Sequence, residues 1–262
     1  MRNSNLLPFL DQLLLWRECD KVPVIAEIKV RSAKDGPLLD RHSVENIVAQ
    51  YVAGGAACLS VVTGRWFGGD PSLLEQVRSL TDLPVLRKDF IVSRKELEAS
   101  KSLGADAVLL TRRLMRPDAL ARLAAEALAL ELVPFVEVAD ETELATTEVP
   151  ANAVLAINNR DIRIKESDDG DYHTSLRLSE RLDRRRPQAL VSASGIRCAD
   201  EVASLINAGF DGVLIGTALL RCRDIARFLD SIRTTLMIDA PAWAPFFAEH
   251  TTPVPAMRFD HS

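Results

Sequence analysis

The chain has 262 residues, 47% hydrophobic and only 5% aromatic, so its core has to be aliphatic, and that length suits one (β/α) barrel or two small domains. A net charge of −5 with no long basic block argues against nucleic acid as a partner. No apolar run is long enough to span a bilayer, and no charged segment followed by an apolar one marks a signal peptide, so a cytoplasmic protein is expected.

In chain order, Met1–Asp20 carries Leu6, Leu7, Phe9, Leu10, Leu13 and Leu14, a pattern that predicts one short helix. Eight short apolar runs then predict strands at Val22–Ile28, Ala57–Val62, Leu83–Arg87, Ala107–Leu110, Val133–Val138, Ala153–Ile157, Ala189–Ser194 and Gly212–Ile215. Between them, helical patterns run over Ser43–Ala53, Pro71–Leu80, Ser93–Leu103, Pro117–Leu130, Asp140–Thr147, Thr174–Leu182 and Cys198–Ala208. An eighth, Asp224–Leu236, follows the last strand. Strict alternation implies parallel strands with right-handed crossovers, and eight units favour closure into a (β/α)8 TIM barrel. Gly104-Ala105-Asp106 and Gly209-Phe210-Asp211 mark two similar helix-to-strand joints. The expected organisation is an N-terminal helical extension over 1–20, a barrel over 21–238 and an irregular tail over 239–262, rich in Pro and carrying Trp243, Phe246 and Phe247. The tail either packs through those rings or meets a partner.

Cys19, Cys58, Cys198 and Cys222 show no CxxC or metal spacing, so no metal site is expected, and Cys58 within an apolar run reads as a small buried hydrophobe. Chemistry in a barrel sits where strands end. There the chain carries Glu27 and Lys29, Lys88, Glu137, Asn158 and Ser194, on or just after five different predicted strands. A strand-end ion pair is the plain alternative for Glu27 and Lys29, and a turn residue is the plain alternative for Asn158. Arg160 and Asp161 read as a structural pair, and His173 as a solvated side chain. Ser194-Gly195 and Gly216-Thr217 follow strands seven and eight, the corners where barrels commonly hold phosphate on backbone N–H groups. Tight turns that need glycine for geometry alone are the other reading.

Six motifs, in order and each at a strand end, resemble the indole-3-glycerol-phosphate synthase family. They are Pro23-Val24-Ile25-Ala26-Glu27-Ile28-Lys29, Leu86-Arg87-Lys88-Asp89-Phe90, Val136-Glu137-Val138, Ile157-Asn158-Asn159-Arg160-Asp161, Ser192-Ala193-Ser194-Gly195-Ile196 and Ile215-Gly216-Thr217-Ala218-Leu219. The resemblance covers about Phe9 to Phe228. It implies a decarboxylating, ring-closing lyase of tryptophan biosynthesis that acts on a phosphorylated anilino-deoxyribulose without metal or redox cofactor. By resemblance Lys88 would be the general acid on the ketone oxygen, and Lys29 would hold the aromatic carboxylate. Glu27 would orient a lysine or take a proton, Glu137 would be a second acid/base, and Asn158 would bond a sugar hydroxyl. Ser32, Phe67, Phe90, Ser194, Gly195, Gly216 and Thr217 would bind substrate and phosphate.

The chain departs from the family pattern at Ala193, where a glutamate is usual, at Gly64 in the second-strand loop, after Lys29, and in a shorter N-terminal extension. Those departures motivate two other expectations: a divergent paralogue acting on a modified anilino-sugar phosphate in specialised metabolism, or a catalytically weak sugar-phosphate-binding barrel. A homo-oligomer or a contact with a pathway partner is compatible with either.

Overall fold

The computed structural model describes residues 7–32, 34, 36–39, 42–160, 169–182 and 189–238. The expected tail, 239–262, and Asp161 lie outside the described residues. Eight strands form the barrel: β1 (Val22–Ile28), β2 (Ala56–Val62), β3 (Val85–Lys88), β4 (Ala107–Thr111), β5 (Val133–Val138), β6 (Val154–Asn158), β7 (Ala189–Ala193) and β8 (Gly212–Ile215). Each pairs with its neighbours in parallel, and the sheet closes as β1-β8-β7-β6-β5-β4-β3-β2. Helix α1 (Pro8–Leu14) precedes the barrel. Around and between the strands run α2 (Val44–Ala53), α3 (Pro71–Leu80), α4 (Arg94–Ser102), α5 (Pro117–Ala129), α6 (Glu141–Ala145), α7 (His173–Ser179), α8 (Ala199–Asn207), α9 (Thr217–Arg221) and α10 (Ile225–Ile238). No helix among the described residues is long and apolar enough to cross a membrane.

Both faces of each strand are covered, so the strand sequences are nearly continuous apolar runs. One face fills the barrel interior with Ile25, Leu86, Leu109, Phe135, Val191 and Leu214. The other carries Ala26, Ile28, Val61, Val108, Val136 and Ile157 and packs on the helices. The apolar side of α1 joins the interior: Phe9, Leu10 and Leu13 are buried with that cluster, and the Phe9 carbonyl accepts from Cys58 Sγ at 3.7 Å. The N-terminal helix therefore stoppers the barrel at the end where strands begin. Cys58 is a free, buried thiol, and burial pushes its pKa well up.

The two Gly-x-Asp joints are one device used twice. Gly104 and Gly209 end helices at φ +87° and +97°, a region that penalises a Cβ. Two residues later, Asp106 Oδ2 accepts from Val85 N at 2.8 Å and Asp211 Oδ2 accepts from Leu190 N at 2.7 Å. Each aspartate thus holds an N–H at the start of the preceding strand, the first residue of β3 and the second of β7.

Element ends differ from expectation in ways with local causes. Strand β3 continues through Lys88, because Lys88 pairs with Val62 and its carbonyl accepts from Thr63 N at 3.1 Å. An antiparallel ribbon, Arg31–Ser32 with Gly36–Pro37, sits in the loop after β1; two residues a side are too few to show alternation in sequence. Helix α4 starts after Ser93, whose Oγ accepts from Glu96 N at 3.4 Å while Glu96 Oε2 accepts from Val92 N at 2.8 Å. That reciprocal cap begins the helix six residues beyond Lys88.

Candidate active site

Period-two alternation decides which side chains reach the barrel mouth. Ile25, Leu86, Val133 and Phe135, and Val154 and Ala156 belong to the interior cluster. Two residues further along their strands, Glu27, Lys88, Glu137 and Asn158 therefore share the inner face. All four are at most 8% exposed. Arg87 and Asp89 fall on the outer face and are tied there. Arg87 donates to Thr63 Oγ1 (3.1 Å) and Ser100 Oγ (3.0 Å), pairs with Asp89 at 3.1 Å, and Thr63 Oγ1 donates to Asp89 at 2.8 Å. With its two neighbours locked outside, Lys88 is directed inward.

Glu27 is the hub. Its Oε1 lies 3.0 Å from Lys29 Nζ and its Oε2 lies 3.6 Å from Lys88 Nζ, and all three side chains are buried. Burial alone would raise the Glu27 pKa, but the charges of Lys29 and Lys88, a hydrogen bond from Lys29 and the charge of Arg160 outweigh it and hold the carboxyl at about 2. Gly216 is what lets the carboxylate stand there, since a Cβ at that position would collide with Glu27 Oε1. Close approach to a side chain is thus one reason for this glycine, independent of any ligand.

A cavity of about 430 Å³ opens over this group. Glu27, Lys29, Ser194, Gly195, Gly216 and Thr217 line it, together with Arg160, Asp169, Arg197 and Arg221. So six of the twelve residues expected from sequence share one cavity, and Lys88 joins them through Glu27. Asn158 lines a neighbouring cavity of about 470 Å³ with Arg160, which borders both. The Asn158 Oδ1 accepts from Arg160 N at 3.0 Å, so this asparagine does shape its own turn. Glu137 lies level with Thr111 and Ala156 on the inner face. Ser32 is buried in the ribbon, while Phe67, in a turn of 3-10 helix, and Phe90, just past β3, are half-buried; these four line neither cavity.

Two cavity features escaped the sequence reading. Arg160, expected to be structural, faces both cavities with a buried Nε that has no partner among the described residues, and its charge reaches Glu27. Its signal was available, since it stands two residues past the end of β6. Lys34 and Asp169 form an ion pair between the loops after β1 and β6, a contact of residues 135 apart that no local pattern announces. His173 is exposed beside Asp171, as a solvated side chain would be.

Ala193 is fully buried on the inner face, level with Asn158 on β6 and Leu214 on β8. Ser192 faces the other way and bonds to Ser175 of α7 at 2.7 Å. Beyond it Ser194 and Gly195 both turn left-handed, at φ +69° and +71°.

The indole-3-glycerol phosphate synthase family model matches residues 3–232. "Indole-3-glycerol phosphate synthase 2" of Ralstonia nicotianae is 38% identical over 205 residues, 78% of this chain and 75% of its own. The "Indole-3-glycerol phosphate synthase" of Carboxydothermus hydrogenoformans is 37% identical over 232 residues, 87% of this chain and 86% of its own. "Tryptophan biosynthesis protein TrpCD" of Archaeoglobus fulgidus is 36% identical over 224 residues, 86% of this chain and 40% of that longer protein. A closed barrel with a buried Glu27–Lys29–Lys88 cluster at its mouth, matched over most of its length, belongs to the indole-3-glycerol phosphate synthase family.

Proposed function

We propose that this barrel converts 1-(2-carboxyphenylamino)-1-deoxyribulose 5-phosphate to indole-3-glycerol phosphate, releasing carbon dioxide and water, with Glu27, Lys29, Lys88, Glu137 and Asn158 as its working side chains. The observation that carries this reading is the buried Glu27–Lys29–Lys88 cluster beside a cavity that ends in two small-residue corners. Ring closure needs a proton at the ketone oxygen as the ring carbon attacks it, and Lys88 supplies that proton. Lys29 holds the aromatic carboxylate until carbon dioxide leaves and then serves as acid in the dehydration. Glu137 removes the proton whose loss completes the indole, and Asn158 orients a sugar hydroxyl. Glu27, with its pKa held at about 2, stays an anion at any working pH; it fixes the two ammonium groups and is a positioning residue, not a proton carrier. Arg160, on the border of both cavities, adds a cation for the substrate's anionic groups. Formation of the indole product, followed by its fluorescence, tests the activity.

The Ser194-Gly195 and Gly216-Thr217 corners hold the phosphate. Support comes from the shared cavity and from Thr217 Oγ1, a buried hydroxyl with no partner among the described residues. Crystals grown in sulfate should show the anion at these backbones; an anion elsewhere on the barrel refutes the assignment. Gly195→Val should raise KM more than it lowers kcat. It should also lower Tm, because the residue sits at φ +71° and its Cβ would press on the backbone of Gly170 at 3.0 Å.

Ala193 bears on catalytic quality. Alanine on the inner face between β6 and β8 leaves the mouth one carboxylate poorer than the family pattern. Ala193→Glu is expected to raise kcat/KM on the unsubstituted substrate severalfold. An efficient native enzyme and a worse glutamate variant would mean that the alanine is compensated. The family match runs across both Gly64 and Ala193, so these changes are variations inside the family's length.

A further inference from the structure

We infer that Asn159 is a positioning residue that holds the phosphate-binding turn of the neighbouring strand; this rests on the reading that Ser194–Gly195 takes the phosphate. Asn159 follows β6 and is 6% exposed. Its Oδ1 accepts from Ser175 N at 3.1 Å and from Ser175 Oγ at 2.8 Å, both in α7. Its Nδ2 donates to Ser192 Oγ at 2.9 Å, in β7, and to the Ser194 carbonyl at 2.9 Å. The amide orientation follows from the chemistry of its partners: a carbonyl can only accept and a backbone N–H can only donate. Two bonds to the oxygen and two from the nitrogen exhaust what an asparagine amide offers. Asn159 therefore has nothing left for substrate, and any effect it has on catalysis passes through the groups it holds.

The group at stake is the turn. Ser194 is a non-glycine residue at φ +69°, a conformation that survives only when its surroundings over-determine it. Its N–H donates to the Leu214 carbonyl at 3.3 Å and its carbonyl accepts from Asn159, so both ends of the residue are pinned. Gly195 comes next, and both residues line the cavity. Asn159 also donates its own N–H to the Ala193 carbonyl at 2.9 Å, which binds the end of β6 to the end of β7. Without the amide, Ser194 loses one of its two pins, and the cavity wall formed by Ser194–Gly195 relaxes. A loosened anion site should weaken binding while leaving the Lys88 chemistry in place.

The test compares Asn159→Ala with Ser175→Ala and Thr217→Val. Asn159→Ala should raise both KM and the inhibition constant of inorganic phosphate about five- to tenfold, the effect of one lost hydrogen bond, with kcat within about threefold. Ser175→Ala removes the other end of the network but keeps the bond to Ser194; it should lower Tm and leave KM and phosphate inhibition unchanged. Unchanged phosphate inhibition in Asn159→Ala, or a rise of equal size in Ser175→Ala, overturns the inference. Thr217→Val separates the underlying reading: if neither it nor Asn159→Ala alters phosphate inhibition, the phosphate is bound elsewhere. If Thr217→Val weakens phosphate and Asn159→Ala does not, only the Asn159 inference fails. Should Asn159→Ala not fold, Asn159→Asp keeps acceptors for both serines and loses the bond to the Ser194 carbonyl. Its added charge is buried and is therefore screened little by salt, so the uncharged Asn159→Ser is measured beside it: a rise in KM and in the phosphate inhibition constant shared by both supports the geometric role, and a rise confined to Asn159→Asp refutes it.

Discussion

Replacing Lys88 with alanine is expected to lower kcat at least about a hundredfold, the scale of a general acid, while the fold persists. Lys88 ends β3 on the inner face, and Glu27 remains paired with Lys29 at 3.0 Å after the substitution, so no buried charge is stranded. Single-turnover kinetics should show the loss in the chemical step, with substrate affinity nearly kept. A Lys88→Ala protein with ordinary turnover would remove this residue, and most of the catalytic assignment with it.

Glu27→Gln is expected to be costly to both stability and activity. The substitution keeps the shape and leaves two buried ammonium groups without their shared anion, a loss on the order of 3–5 kcal/mol for a buried ion pair broken on one side. It also changes how stability depends on pH. The Glu27 pKa falls from 4.5 to about 2 on folding. A carboxylate lowered in this way stabilises the fold above pH 4.5, and that stabilisation drains away as pH falls toward 2. Linkage puts it at roughly 3 kcal/mol. Denaturant unfolding at pH 7, 4 and 2.5 should therefore show the native protein and Glu27→Gln converging as pH drops. Parallel stability profiles would show that Glu27 is not held as a buried anion.

Much of the fold was legible because the signals were local. Continuous apolar runs in strict alternation with amphipathic helices, and the two Gly-x-Asp joints, announce parallel strands before any contact is known. The inward direction of Glu27, Lys88, Glu137 and Asn158 also follows from a local rule, two-residue alternation. What stayed hidden depends on closure of the barrel. Gly216 reads as a phosphate glycine in sequence, yet its missing Cβ makes room for Glu27, a residue 189 positions away that β1–β8 pairing brings beside it. Asn159 reads as an ordinary turn residue because its partners, Ser175, Ser192 and Ser194, come from another helix and another strand. The ribbon after β1 is too short for any periodicity to reveal.

The central claim, decarboxylating ring closure, is tested most directly by giving the purified protein the anilino-deoxyribulose phosphate labelled with carbon-13 in its aromatic carboxylate. Mass spectrometry should show the label leaving entirely as carbon dioxide, and an unlabelled product lighter than the substrate by one carbon dioxide and one water. A product that retains the labelled carboxylate, or substrate recovered unchanged with the protein folded and binding it, would contradict the account.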